Sequence, residues 1–283
     1  MGYECDNRVT MGHPDLHWTL DPGPLSAMAV GTFVYVRRFR AARREAGGRG
    51  AGPVQALAFA GAMLALLAAL VSPIDGLGEE YLFSAHMTQH VLLGDIAPLL
   101  LLLSLSRVIM RPATRRLSGV ERRLGALASP PVFIAVWLAL VYVWHIPAMY
   151  DAALESPVAH AVEHLCFFSA GVAVWWPLIQ PVPMRRRLTG MQPFIYIFGA
   201  KAGLAALGIY LTWSTGVAYD FYASVPRIWG LSAVEDQNAG GALMLVEQSL
   251  VLVTVMVVLF VRMLTQSEEE ERRRERLEDA APA

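Results

Sequence analysis

The hydrophobic residues of this chain are gathered into long blocks, not spread at the spacing of a soluble core. Seven runs of about 18 or more largely uncharged residues stand out: 20–36, 54–72, 85–106, 130–147, 158–179, 192–213 and 239–262. At 1.5 Å per residue each matches the roughly 30 Å of a bilayer's hydrocarbon layer. The pattern predicts an all-α integral membrane protein, a seven-transmembrane-helix bundle over 20–262. It is preceded by an extracytoplasmic tail (1–19) and followed by a charged cytoplasmic tail (263–283). The lipid bilayer is the first expected partner. No positively charged stretch precedes the first run, so that run reads as a retained helix and not as a cleaved signal.

Charge sets the orientation. Of 22 arginines, twenty lie in 37–49, 107–123, 185–187 and 262–276, the segments after the first, third, fifth and seventh runs. An excess of arginine marks cytoplasmic loops, which places the N-terminus outside and the C-terminus inside. The formal net charge of −1 carries no sign of a nucleic-acid partner, and none is expected. Cys5 and Cys166 offer neither a disulfide framework nor a paired-cysteine metal motif. The segment 72–86 between the second and third runs reads as a turn-rich acidic loop, and Pro98 as a kink in the third span.

Against this background the histidines are informative. HMTQH (His86, His90) and HAVEH (His160, His164) each place two rings four residues apart at the outer start of a span, on one helical face. His145 ends the fourth run at the same level, and all seven histidines fall on the extracytoplasmic side. Two such faces turned towards each other close around a transition metal, which requires the third and fifth spans to be neighbours. Imidazole suits copper, zinc, iron and nickel, and the thioethers of Met87 and Met244 tilt the choice to copper. Glu163, Asp151 and Asp236 are the carboxylates available to hold the second ring nitrogens. In the tail, Met11, His13 and His17 are either part of an unstructured cap or a metal-capturing arm. The short helix-preceding segments share a thirteen-residue spacing, Pro73 to His86 and Pro147 to His160, a weak internal echo. Asp95, Lys201 and Glu247 lie at membrane depth, where an unpaired charge costs at least a few kcal/mol. A buried network of Lys201 with the two acids is expected, either as an ion pair that locks the bundle or as a proton path.

SPID (from Ser72), HMTQHVLLGDIAPLLLL (from His86), HIPAMYDAALESPVAHAVEHLCFF (from His145), WWPLIQP (from Trp175), and Asp236, Gln237, Gly240, Gly241 and Met244 together resemble the polytopic CtaG family of cytochrome c oxidase assembly factors. The resemblance covers the second to seventh spans. It implies a non-enzymatic protein of the bacterial plasma membrane that supplies copper to a haem-copper oxidase. Its partners would be oxidase subunits and other copper chaperones, with a homo-oligomer left open. The matching positions are His86, His90, His160, His164, Asp236 and Met244.

Three other readings stay open on the residues alone. A membrane-embedded zinc-dependent hydrolase would use His86, His160 and His164 with Glu163 or Asp95, beside a lipid-sized cavity. A b-type haem protein would need His86 facing His160, or His90 facing His164, across a porphyrin. A scaffold would have histidines that merely satisfy one another by hydrogen bonding.

Overall fold

In the computed structural model, which describes residue 14 and residues 16–279, every regular element is helical among the described residues. The elements are α1 (Pro22–Glu45), α2 (Pro53–Leu70), α3 (Pro73–Glu80), α4 (Phe83–Val91), a π-helical turn (Leu92–Ile96), α5 (Ala97–Ser104), α6 (Arg107–Leu124), α7 (Pro130–Trp144), α8 (Pro147–Glu155), α9 (Pro157–Ile179), α10 (Gln192–Trp213), α11 (Asp220–Ser224) and α12 (Ala233–Asp279). Apart from α5, which continues the π turn, seven of these begin with proline in their first turn, where the missing N–H is one the helix leaves unpaired anyway.

Five helical stretches are long and apolar enough to cross a membrane: Pro53–Glu80, Phe83–Ser104, Pro157–Ile179, Gln192–Trp213 and Ala233–Leu277. A sixth results if Arg107–Leu127 and Pro130–Trp144, bent by 79° to each other, count as one span. The expectation of seven is reduced at two places. The first run lies in α1, which is less apolar than the others and continues as one helix through Arg37 to Glu45. The fourth run forms only the 15 residues of α7, about 22 Å at the helical rise. The charged tail does not start a new element, because α12 runs unbroken from Ala233 to Asp279.

Two expectations about the third span also change. It is not a uniform helix kinked at Pro98 but is wound one residue wider just before it, in the π turn that holds Asp95. Pro98 has no N–H to give to the carbonyl four residues back, and a local π turn is one way for the ladder to absorb that loss. The segment 72–86, expected as a loop, is mostly helix: Ser72 caps α3 through its hydroxyl, which accepts from Ile74 N at 3.2 Å. The thirteen-residue echo corresponds to a shared pattern. A short Pro-initiated helix, α3 or α8, leads into a helix whose fourth residue is His86 or His160.

α12 packs on α10 and α4, and α9 packs on α7, α5 and the π turn. Small residues set these approaches. A Cβ on Gly240 would come within 2.5 Å of the Phe83 ring, and one on Gly171 would overlap the Gly94 carbonyl oxygen. Glycine at Gly171 thus lets α9 touch the π turn backbone to backbone, which brings the two histidine pairs within reach of each other. At the far end, α1 is tied to its neighbours by Tyr35, stacked on Phe59 at 3.8 Å, and by Arg38, which donates to the carbonyls of Val108 and Ile109.

Candidate metal centre

The two histidine faces do meet. Ring centroids of His86 and His160 are 5.3 Å apart, those of His90 and His164 6.2 Å, and His145 comes in from the end of α7 at 5.9 Å from His90. Glu163, one turn after His160 and next to His164 in the chain, projects among them. Its two oxygens lie 3.9 Å from His86 Nε2 and 3.6 Å from His90 Nε2. Two overlapping sets of donor atoms lie within 4.8 Å of one another: His86, His90 and His164, and His86, His160 and Glu163. His86 belongs to both.

The site is covered, not open at a mouth as expected. His86 and Glu163 have no exposed surface, and His90, His145 and His160 are buried. The cover is built by the short elements. A Cβ on Gly78 of α3 would meet the His86 backbone at 2.9 Å. Tyr150 of α8 stacks on Tyr219 at 4.0 Å, and Tyr222 of α11 packs beside both. Burial holds the Tyr222 phenol well above its ordinary pKa, so it keeps its proton.

Hydrogen bonds outside the cluster decide which ring nitrogens face inward. Tyr222 donates its one proton to Gly78 O (2.5 Å), so at 3.1 Å from His86 Nδ1 it can only accept. Tyr150 Oη lies 3.0 Å from the same nitrogen, so two phenols hold Nδ1 of His86 and leave its Nε2 facing inward. His160 Nδ1 lies 2.7 Å from Glu79 Oε1, and His145 Nδ1 lies 2.8 Å from Val141 O. A carboxylate and a carbonyl can only accept, so both rings are turned the same way. The consequence is an inventory of unpaired atoms. His86, His90, His145, His160 and His164 all have a buried Nε2 without a hydrogen-bond partner, and both Glu163 oxygens share that condition. Buried polar atoms are almost always paired, because leaving one bare costs about 1–3 kcal/mol. A cluster of bare, inward-facing imidazole nitrogens beside a carboxylate is the arrangement a metal ion satisfies.

Below the rings a chamber of about 30 Å³ is bordered by Met87, His90, His145 and Met244 above and by Asp95 and Glu247 beneath. Both methionines are buried. The floor is the charge network anticipated from sequence: Lys201 Nζ bonds Asp95 Oδ2 and lies 3.9 Å from Glu247 Oε1, and Trp175 Nε1 donates to Asp95 Oδ1 at 2.7 Å.

Two carboxylates grouped with the site have other work. Asp236, on α12, accepts from the backbone N–H of Phe83 (2.7 Å) and Ser84 (3.1 Å) and from the Ser84 hydroxyl. It caps α4, whose own preceding residue, Leu82, has no side chain able to do so. Asp151 faces the backbone of Asp220 and Phe221 at the start of α11, and partial burial raises its pKa. It holds the cover, not a histidine. Glu79 holds His160, and sequence reasoning missed it, along with Tyr150 and Tyr222. Of the arm, Met11 and His13 lie outside the described residues, and His17 is exposed. Thr19 ties the start of the described chain to the site through Asp75, which in turn accepts from Gln89 next to His90.

Residues 33–266 match the protein family described as cytochrome c oxidase caa3 assembly factor. The chain belongs to this family. Among curated relatives, the uncharacterized proteins Mb0105 of Mycobacterium bovis and MT0111 of Mycobacterium tuberculosis are each 26% identical over 271 residues, covering 89% of this chain. The uncharacterized protein ML1998 of Mycobacterium leprae is 24% identical over 178 residues, 57% of this chain. The alignments take in 40% of the length of the first two and 27% of the third, so this chain spans less than half of the relatives it matches. No solved structure matches. The family description names assembly of the caa3 cytochrome c oxidase, and the apolar helices of this chain are those expected of a multi-pass membrane protein.

Proposed function

We propose that this protein binds copper at the histidine cluster and delivers it to a subunit of a haem-copper oxidase, as a carrier and not as a catalyst. The observation that carries the reading is the set of five bare Nε2 atoms converging with Glu163. Their identity favours a late transition metal, and the divalent order places copper above zinc at a nitrogen site. Met87 and Met244, in the chamber directly beneath, add soft donors suited to Cu(I).

The two donor sets give copper a way through. Glu79 is about half exposed and holds His160, so the set of His86, His160 and Glu163 is the entry side. The set of His86, His90 and His164 lies one turn deeper. Because His86 is shared, copper passes between the sets by exchanging two ligands while keeping one. The arm reading of Met11, His13 and His17 fits this entry side, to which Thr19 is anchored. In this reading the chain has seven spans, with α1 and α7 completing the count, in a bacterial plasma membrane. The histidine end faces outward and the arginine-rich ends face the cytoplasm, where the positive-inside rule puts them. Oxidase subunits and other copper chaperones are the partners.

A zinc hydrolase is favoured by one observation, the His86, His160 and Glu163 set, which has a hydrolase-like composition. The chamber opposes it, since about 30 Å³ holds about one water and no lipid. The rings are packed edge to face, with Phe167 stacked on His90 at 4.2 Å, which leaves no slot for a porphyrin.

The test is the metal content of purified protein after copper exposure, for the natural chain and for His86→Ala/His160→Ala. Near-stoichiometric copper in the first and none in the second supports the reading; equal copper in both, or zinc retained in preference to copper, overturns it.

A further inference from the structure

The end of the bundle opposite the histidines carries a feature the metal chemistry does not use. α6 leaves the third span at Ser106 and returns to α7 at an angle of 79°. A helix at right angles to a spanning neighbour lies along the membrane surface. Its sequence, RVIMRPATRRLSGVERRL, is amphipathic. Ile109, Met110, Ala113, Leu117, Val120 and Leu124 fall within one stripe at 100° per residue. Only Ile109 at the α1 end of that stripe is buried in protein, against Tyr35 and Phe59. Val120, Leu124 and the following Leu127 are 50%, 46% and 63% exposed. An apolar stripe left open at membrane level on one half of a helix is a stripe for acyl chains.

The arginines of the polar face outnumber its single acid, Glu121. Among the described residues, no ion pair engages Arg115, Arg116, Arg122 or Arg123, whereas Arg111, near the other end, lies 3.6 Å from Glu45. The four free arginines, with Gly119 and Val120, line a cleft of about 510 Å³. A second cleft of about 500 Å³ shares Arg122 and adds Arg185 and Arg187 from the segment after α9. The two segments are joined: Arg185 N–H donates to Glu121 Oε1 at 2.6 Å, which fixes the clefts side by side and ties down the one acid that lines the second, where it is outnumbered by Arg122, Arg185 and Arg187. Guanidinium groups recognise phosphate oxygens in pairs, and here they stand directly above exposed leucine and valine.

We propose that α6 and the 185–187 segment form a binding site for anionic phospholipid, with phosphodiester headgroups in the arginine clefts and acyl chains along Val120, Leu124 and Leu127. The combination selects a lipid over a free anion, since a phosphate alone would leave the apolar half of the site uncovered. The site is independent of the copper reading.

The experiment measures which phospholipids stay with the full chain. Protein in mixed micelles of phosphatidylglycerol and phosphatidylcholine is purified, and the retained lipid is quantified by mass spectrometry. The natural chain is expected to enrich phosphatidylglycerol. Arg115→Gln/Arg116→Gln/Arg122→Gln/Arg123→Gln should lose that enrichment, by roughly fivefold per arginine near the surface, while the matching four-lysine variant keeps most of it. Leu124→Ser/Leu127→Ser should weaken retention with the charge intact. Equal lipid ratios in the natural chain and the glutamine variant overturn the proposal. If the glutamine variant does not fold, competition on the natural chain decides. Millimolar inorganic phosphate that displaces the lipid completely means a free-anion site and contradicts it, whereas displacement only by excess phosphatidylglycerol supports it.

Discussion

The bundle holds two buried polar clusters a turn or two apart, and they are built on opposite terms. At the floor, Lys201 is held between Asp95 and Glu247, with Trp175 donating to Asp95 and Gln248 donating to Glu247. Charge meets charge there. At the level of the histidines, partners outside the cluster hold each Nδ1 of His86, His145 and His160, and the inner atoms are bare. One cluster is closed around its cation by residues the chain supplies, with Glu247 Oε1 and Gln248 Oε1 left bare at its edge, whereas at the other every inward Nε2 and both Glu163 oxygens are bare. The difference separates a structural device from a binding site, although burial and residue chemistry alone would have made both look functional.

The comparison breaks most visibly at the floor. Asp95→Ala leaves the Lys201 ammonium with only Glu247, 3.9 Å away, and removing one partner of a buried ion pair costs about 3–5 kcal/mol. We expect poor recovery of folded protein and a lowered melting temperature, with Lys201→Met in the same chain restoring much of both. At the histidines the expectation is inverted: His90→Ala or His164→Ala removes a bare atom and leaves metal-free stability within about 1 kcal/mol by thermal melting, but reduces copper affinity. A smaller effect tests the ring orientation. Tyr222→Phe or Glu79→Gln releases an Nδ1 from its partner, and losses of such outer partners run to about 10–100-fold in metal affinity, read by competition with a copper chelator. Least of all, Asp236→Ala uncaps α4 and is expected to cost about 0.5–2 kcal/mol with copper bound nearly as tightly. Had Asp236 been a ligand, copper binding would fall as far as in the histidine variants.

What could be read without the structure was whatever rests on short-range regularity. Four-residue spacing puts His86 with His90 and His160 with His164, and a lone lysine at membrane depth must find acids, so the ring cluster and the floor were both visible. The helical cover was not. α3, α8 and α11 are short, rich in turn formers and acids, and are held by tertiary contacts such as Tyr222 to Gly78 and Asp151 to the α11 backbone; the same composition reads as loop. Nor does any local pattern mark the π turn at Leu92–Ile96 or the cap that Asp236 supplies across 153 residues to Phe83. Glu79 was hidden for a related reason: it sits seven residues before His86 but serves His160 on another helix. Of the seven expected spans, five stand by length and apolarity, and the two left over are α1, where polar residues flank the apolar run, and α7, which is short and bent by 79° from α6.

The central claim is that the inward Nε2 atoms of the histidine cluster hold copper, and X-ray absorption at the copper edge of the loaded, purified chain tests it most directly. The account predicts a first shell dominated by imidazole nitrogen, with outer-shell scattering from the rings that disappears in His86→Ala/His160→Ala. A spectrum without imidazole scattering, or one that the double substitution leaves unchanged, would contradict it.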